Sequence, residues 1–82
     1  MQHQTLASLS LDQKAYIDHL NLGGELRRRL MDLGFSAGNT VTPLFRSPLG
    51  DPTAYRVMGT VIALRLEDAK QIYIQSPAKG AF

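Results

Sequence analysis

The sequence contains no cysteine and carries little net charge. Without cysteine there is no disulfide framework, no thiolate metal site and no thiol nucleophile, and such a composition fits a reducing compartment. The formal net charge at pH 7 is +2, which is too small to indicate nucleic-acid binding. Neither feature favours a disulfide-rich, thiol-dependent or nucleic-acid-binding protein.

Long apolar runs and targeting segments are also missing. The longest strongly apolar run, Val61 to Leu64, is far shorter than the roughly 20 residues that a membrane helix needs. The N-terminus, MQHQTLASLSLDQK, has neither the basic region nor the apolar core of a signal peptide. We therefore expect a cytoplasmic protein with no direct membrane insertion.

Catalytic motifs are absent as well. Nothing matches the phosphate-binding GxxxxGK[ST] loop or the GxSxG nucleophile elbow. The only histidines that could serve a serine as a base are His3, which lies near the terminus, and His19. We predict that the protein is not an enzyme, with no catalytic residues and no cofactor.

Candidate metal ligands are few. Iron(II) favours a site such as two histidines and a carboxylate. Asp18 adjoins His19 in the sequence, but neighbours on a strand point to opposite faces. His19 therefore fits an ordinary strand residue better than a ligand, and we predict no metal-binding residues.

The length of the chain bounds its organisation. Its 82 residues, of which 44% are hydrophobic and 20% charged, suit one small soluble domain. We expect a flexible N-terminus over residues 1–5, one folded domain over 6–76 and a flexible tail over 77–82.

Five short segments are predicted to form strands. They lie between turn residues such as glycine, asparagine and proline, and several are rich in β-branched or aromatic residues. The segments are residues 15–20, 40–45, 53–58, 60–65 and 72–75. Pro43 lacks a backbone donor, so we expect it at a sheet edge or at a bulge.

Residues 24–33, GELRRRLMDL, give the clearest helix signal. Three leucines recur at helical spacing and predict a single apolar stripe on the helix, formed by Leu26, Leu30 and Leu33. Gly34 should end the helix in the left-handed conformation. Phe35 should then pack back on the middle leucine, as in a Schellman motif.

The strand count predicts the fold class. Closing five short strands into a barrel removes exposed edges on which chains could aggregate. We predict a mainly β protein with short helices: a small SH3-like barrel of about five strands. One three-turn helix is inserted after the first strand, and a single helical turn follows at residues 66–71. An open α+β sheet is the alternative.

Residues 47–52, SPLGDP, place two prolines and a glycine at one corner. If Ser47 opens the turn, Gly50 closes it as in type I; if Pro48 opens it, Gly50 takes the positive-φ position of type II. The corner is either simply a reliable hairpin turn or a preformed surface that presents Leu49 to a partner.

Three consecutive arginines occupy the arc of the predicted helix that faces solvent. They either keep the surface solvated or bind an acidic protein surface, whereas nucleic acid is not expected because no aromatic residues alternate with them. We assign seven candidate partner-binding residues, namely Arg27, Arg28, Pro48, Leu49, Gly50, Asp51 and Pro52.

Three segments, in this order, resemble the FeoA family, the small cytoplasmic partner of the ferrous iron transporter FeoB. They are LRRRLMDLGFSAGNTV, SPLGDPTAYRV and GTVIALRLEDAKQIYI, and the resemblance covers about residues 6–75. Two departures fall in turns: Ala37 stands where the family often has proline, and Asp12 and Gln13 stand where it often has Pro-Gly.

The resemblance implies an SH3-like barrel and a role in ferrous iron uptake. It implies that the chain binds the cytoplasmic part of a FeoB-type GTPase transporter and is not itself a transporter. Two alternatives remain: an SH3-like interaction module with another client, or a small transition-metal-binding protein. The few candidate ligands count against the second alternative. The few aromatic residues left for a peptide groove count against the first.

Overall fold

The computed structural model describes residues 4–75 of the chain. The strands are β1 (Ala15–Leu20), β2 (Thr40–Arg46), β3 (Thr53–Val57), β4 (Thr60–Leu64) and β5 (Ile72–Ile74). The helices are α1 (Gly24–Asp32) and α2 (Leu66–Ala69), and a 3-10 turn at Leu6–Ser8 precedes β1. Five strands with α1 after the first confirm the predicted architecture. None of the helices within residues 4–75 has the length and apolar character needed to cross a membrane.

The strands form one antiparallel sheet in the order β4-β3-β2-β1-β5. The β2–β3 ladder extends from the pair Val41 and Val57 to the pair Arg46 and Thr53. Its register shifts just after Pro43. The proline therefore lies at a bulge, as predicted, where a missing backbone donor is tolerated.

The two edges of the sheet differ in their cover. At β5, Thr5 forms a bridge with Tyr73, and the amide of Ile74 donates to the carbonyl of Gln4 at 3.0 Å. Gln4 and Thr5, which belong to the expected flexible N-terminus of residues 1–5, thus pair with β5. Residues 1–3 and the expected tail of residues 77–82 lie outside the described residues. Among residues 4–75, no strand covers the outer side of β4. The expectation that closure removes the strand edges is therefore wrong at β4.

The core lies on the inner face of the sheet. Alternate residues of β3 show this best, because Tyr55 and Val57 are buried while Arg56 is exposed. The largest fully buried side chains are Phe35, Leu6, Ile17, Ile72, Val41, Val57 and Pro43. Each buried side chain of this size contributes roughly 1.5 to 3 kcal/mol to folding, so the 3-10 turn and the end of α1 are firmly attached to the sheet.

The C-terminal end of α1 is a Schellman motif, as predicted. The amide of Phe35 donates to the carbonyl of Leu30, and the amide of Gly34 donates to that of Met31, both at 3.0 Å. Gly34 has a φ of +114°. Phe35 and Leu30 are both buried in the core, so this helix end is fixed by packing as well as by hydrogen bonds.

The predicted apolar stripe of α1 is wrong at its two ends. Leu30 is buried, but Leu26 is 38% exposed and Leu33 is 41% exposed. The reason is the short reach of the core, which includes Leu30 and Phe35 but no earlier residue of the helix. As a result, α1 presents leucine as well as arginine side chains to solvent.

Substitution of Gly34 tests the packing at this helix end. A Cβ atom on Gly34 would lie 2.6 Å from Cγ of Met58, whereas one on Gly38 would meet nothing within 4 Å. Both glycines have positive φ, so alanine at either position should lose on the order of 1–2 kcal/mol. Gly34→Ala should lose a further 1–3 kcal/mol or so, because Met58 must move. Urea denaturation measures both free energies of unfolding.

The Gly34→Ala, Met58→Ala double variant should recover part of that additional loss. Equal unfolding free energies for Gly34→Ala and Gly38→Ala would contradict the contact.

Tyr55 gives a pH-dependent prediction. Burial raises the pKa of the Tyr55 phenol above its ordinary value. The folded state therefore holds the phenol proton more tightly than the unfolded chain does. The neutral phenol contributes fully to the free energy of unfolding below about pH 10, the ordinary tyrosine pKa, and this contribution is lost as the pH rises through the folded-state pKa. Tyr55→Phe should reduce the alkaline fall in unfolding free energy, measured by urea denaturation from about pH 8 to about pH 11. The exposed Tyr16→Phe is the matched control, and an equal effect of both variants would contradict the prediction.

Candidate partner-binding surfaces

The SPLGDP corner connects β2 to β3 and is held by one serine. The amide of Gly50 donates to the carbonyl of Ser47 at 2.8 Å, so the turn opens at Ser47, the first of the two predicted alternatives. The hydroxyl of Ser47 donates to the carbonyl of Asp51 at 2.7 Å, and its amide donates to the carbonyl of Pro52 at 3.0 Å. The Asp51–Pro52 peptide bond is cis. The three hydrogen bonds of Ser47 join the two ends of the corner.

Leu49 is the most exposed large apolar residue described, at 93%. It stands at the tip of the fixed turn beside the exposed Pro48. An apolar side chain on a preorganised turn can be buried against a partner with little loss of conformational entropy. We call residues 48–52 the corner surface.

Asp51 has a structural role that sequence reasoning missed. Its Oδ1 accepts a hydrogen bond from the amide of Leu66 at 2.8 Å, across 15 positions of sequence. This bond satisfies an amide at the start of α2, where Arg65 supplies no side-chain cap. The carboxylate thus joins the corner to the connection between β4 and β5. Capping residues are recognised in sequence when they immediately precede a helix, so a remote cap gives no local signal.

An open groove lies beside the corner. It is lined by Asp51, Arg65, Leu66, Glu67 and Lys70. Two acidic and two basic side chains share this lining, so the groove selects neither an anion nor a cation by charge.

The arginines of α1 are exposed, as predicted. Arg27, Arg28 and Arg29 all face solvent, next to the partly exposed Leu26. Among residues 4–75, no arginine forms a salt bridge within 4 Å, so these arginines are available to an acidic surface. We call residues 26–29 the α1 surface.

The structure does not bring the corner surface and the α1 surface together. The segment after α1 enters β2 at Thr40, whereas the corner leaves β2 after Arg46. A strand of this length spans about 20 Å. The C-terminal end of α1 lies at the Thr40 end of β2, because Gly34 approaches Val57, which pairs with Val41. The seven candidate residues therefore belong to two separate segments, and a single partner would have to contact both.

The expectation that Asp18 and His19 point to opposite faces is wrong. The register of β1 against β5 shifts between Ile17 and His19, and this irregularity leaves both side chains exposed. Nδ1 of His19 lies 2.6 Å from Oδ2 of Asp18, and the imidazole stacks on the ring of Tyr73 at a centroid distance of 4.8 Å. One imidazole and one carboxylate do not make a metal cage, and nowhere in residues 4–75 do three or more His, Cys, Asp or Glu side chains cluster.

Comparison with known proteins places this geometry in a family. The family model for the FeoA domain matches residues 4–76. A Fe(2+) transport protein A/Fe(2+) transporter FeoB fusion protein of Porphyromonas gingivalis is 36% identical over 76 residues, which are 93% of this chain. This chain spans only 9% of that relative's length.

Solved structures agree in fold. The FeoA protein of Chlorobium tepidum has a TM-score of 0.82 at 30% identity, over 95% of this chain and 76% of its own. The FeoA of Stenotrophomonas maltophilia, complexed with zinc and described as a prokaryotic SH3 domain protein, has a TM-score of 0.77 at 32% identity, over 88% and 89% of the two chains. The predicted SH3-like class is therefore confirmed. Because all of its described residues lie inside the family match, this chain belongs to the FeoA family.

Proposed function

We propose that this chain is a non-enzymatic, cytoplasmic accessory protein of ferrous iron uptake. It acts by binding the cytoplasmic part of a FeoB-type GTPase transporter. The observation that carries the proposal is the fusion relative, whose name joins transport protein A to the transporter in one polypeptide. Covalent linkage keeps two domains close together by raising their effective concentration. A binding surface on this domain would likewise keep it next to the transporter when the two are separate chains.

The corner surface supplies the apolar part of the proposed contact. Leu49 projects from a turn that Ser47 holds by three hydrogen bonds, so its position is set before binding. Burying a leucine contributes about 1.5 to 3 kcal/mol. Burial of this one residue therefore changes the dissociation constant by about ten- to a hundredfold.

The α1 surface supplies the electrostatic part. Its arginines are exposed and belong to a segment separate from the corner, so we expect them to act on the rate of encounter more than on the closed contact. Arg28→Glu should therefore slow association and weaken its dependence on salt, while dissociation changes little.

Leu49→Ala tests the corner surface. It should weaken binding of the full chain to the detergent-solubilised FeoB-type transporter by about tenfold or more. The free energy of unfolding should change by no more than about 0.5 kcal/mol, because the side chain makes few contacts in the free protein. Surface plasmon resonance and urea denaturation measure the two effects. Leu11→Ala, a truncation of another exposed leucine, is the matched control.

Two results would contradict this role of the corner. One is an equal loss of binding for Leu11→Ala and Leu49→Ala. The other is a large fall in the stability of Leu49→Ala, with binding lost only in proportion to the unfolded protein. Either result would leave the corner as a structural turn.

Metal binding is the second property to test, because a relative is known in complex with zinc. His19 and Asp18 form the one imidazole–carboxylate pair among residues 4–75. We expect iron(II) to bind the isolated chain more weakly than about micromolar, which corresponds to less than roughly 8 kcal/mol. Anaerobic titration calorimetry measures this. A stoichiometric site tighter than that, abolished by His19→Ala and retained in Tyr16→Phe, would overturn the expectation.

A further inference from the structure

The outer edge of β4 is a row of unused backbone hydrogen-bonding groups. β4 is the outermost strand of the sheet and joins β3 through a two-residue turn at Met58 and Gly59. Both turn residues have positive φ, 51° and 76°, as a type I′ hairpin turn requires. Such a turn makes its flanking pair, Val57 and Thr60, a hydrogen-bonded pair.

The alternation of an antiparallel ladder then fixes which groups point outward. Arg56 faces Val61 and Ala54 faces Ala63 as non-hydrogen-bonded pairs, so the N–H and C=O groups of Val61 and Ala63 point away from β3. Among residues 4–75, no backbone hydrogen bond joins these groups to another segment. Two residues thus offer two donors and two acceptors on one open edge.

The edge also lacks the usual features that prevent strand pairing. Its sequence, TVIAL, contains no charge and no proline, and it pairs with β3 in unbroken register over all five residues. Natural edge strands are commonly protected by charges, proline or bulges. The opposite edge of this sheet is covered in part by Gln4 and Thr5, whereas β4 is a straight template for strand addition.

The outer face beside this edge has an alternating pattern of its own. Val61 is 53% exposed and Ala63 is exposed as well. Arg56 lies directly across from Val61, and Arg65 follows two positions after Ala63 with extended backbone angles of −72° and 151°. Neither arginine forms an ion pair within 4 Å in the described part of the chain. Cationic side chains therefore flank a small apolar strip.

We propose that the β4 edge binds an extended acidic segment of a protein partner by strand addition. Main-chain hydrogen bonds join the segment to Val61 and Ala63. Two acidic side chains, four residues apart, approach Arg56 and Arg65, and an apolar side chain between them covers Ala63. This surface lies apart from the α1 surface and meets the corner surface only where Arg65 shares a groove with Asp51. It does not depend on the proposed transporter contact.

Charge selects this occupant over a second copy of the chain. A second β4 would match the main-chain register, with Val61 of one copy opposite Ala63 of the other. It would also bring its own Arg65, which follows β4, and its own Arg56, which lies on β3 behind it, onto the same face of the joined sheet. That face would then carry four arginines and no acidic partner on the added strand. An acidic strand reverses the sign of that interaction and leaves the main-chain pairing unchanged.

A synthetic peptide tests the proposal directly. The peptide Thr-Glu-Thr-Val-Thr-Glu-Thr, acetylated and amidated, is titrated into the ¹⁵N-labelled full chain and followed by amide chemical shifts. We expect saturable shifts concentrated at residues 60–65, with a dissociation constant of about 1 mM or tighter. Amide exchange should slow at Val61 and Ala63 but not at Ile62, whose groups already face β3. The same peptide with lysine in place of glutamate is the matched control and should not bind.

Two variants separate the contributions of charge and backbone. The Arg56→Glu, Arg65→Glu double variant should bind the acidic peptide at least about tenfold more weakly and should gain binding of the lysine peptide, an exchange that misfolding cannot produce. Ala63→Pro removes an outward donor and should bind neither peptide, whereas Ala63→Thr should bind like the parent chain.

Three outcomes would overturn the proposal. Equal binding of the acidic and lysine peptides would exclude charge selection. Shifts centred on residues 26–29 or 48–52, or no saturable binding, would exclude the edge. Protection of Val61 and Ala63 that grows with protein concentration in the absence of peptide would identify a second copy as the occupant.

Discussion

The β2–β3 ladder is the pairing on which the rest of the domain depends. It contains the central strand of the sheet, β2, and β1 attaches to one side of the pair and β4 to the other. The bulge after Pro43 lies within this ladder, and bulges increase the local twist that a small curved sheet needs. A domain of this size buries only about 60% of its unfolded surface, so a break in the central ladder has no second core to compensate for it.

Local sequence signals predicted the features that depend on local chemistry. The Schellman end of α1 needs only Gly34 at the right distance from Leu30, and the turn at Ser47 needs only proline and glycine in order. The five strands were also predicted with small errors in their ends, because turn residues separate them. These elements carry the family resemblance as well, which is why the family could be inferred from the same segments.

Features that depend on distant contacts could not be predicted from the sequence. Helical spacing grouped Leu26 and Leu33 with Leu30, but only tertiary packing decides how far along α1 the core extends. Asp51 caps α2 from another part of the chain, and the irregularity at Asp18 and His19 arises from pairing with β5. The open edge of β4 follows from strand order, which no local pattern in TVIAL encodes.

The pairing of the N-terminal segment with β5 determines where the chain can be attached to something else. The amide of Ile74 donates to the carbonyl of Gln4, so the first and last described residues both lie beside β5. In the strand order, β5 and β4 are the two outermost strands. A tether joined next to Gln4 or Gln75 would therefore be attached beside β5 and not on β4.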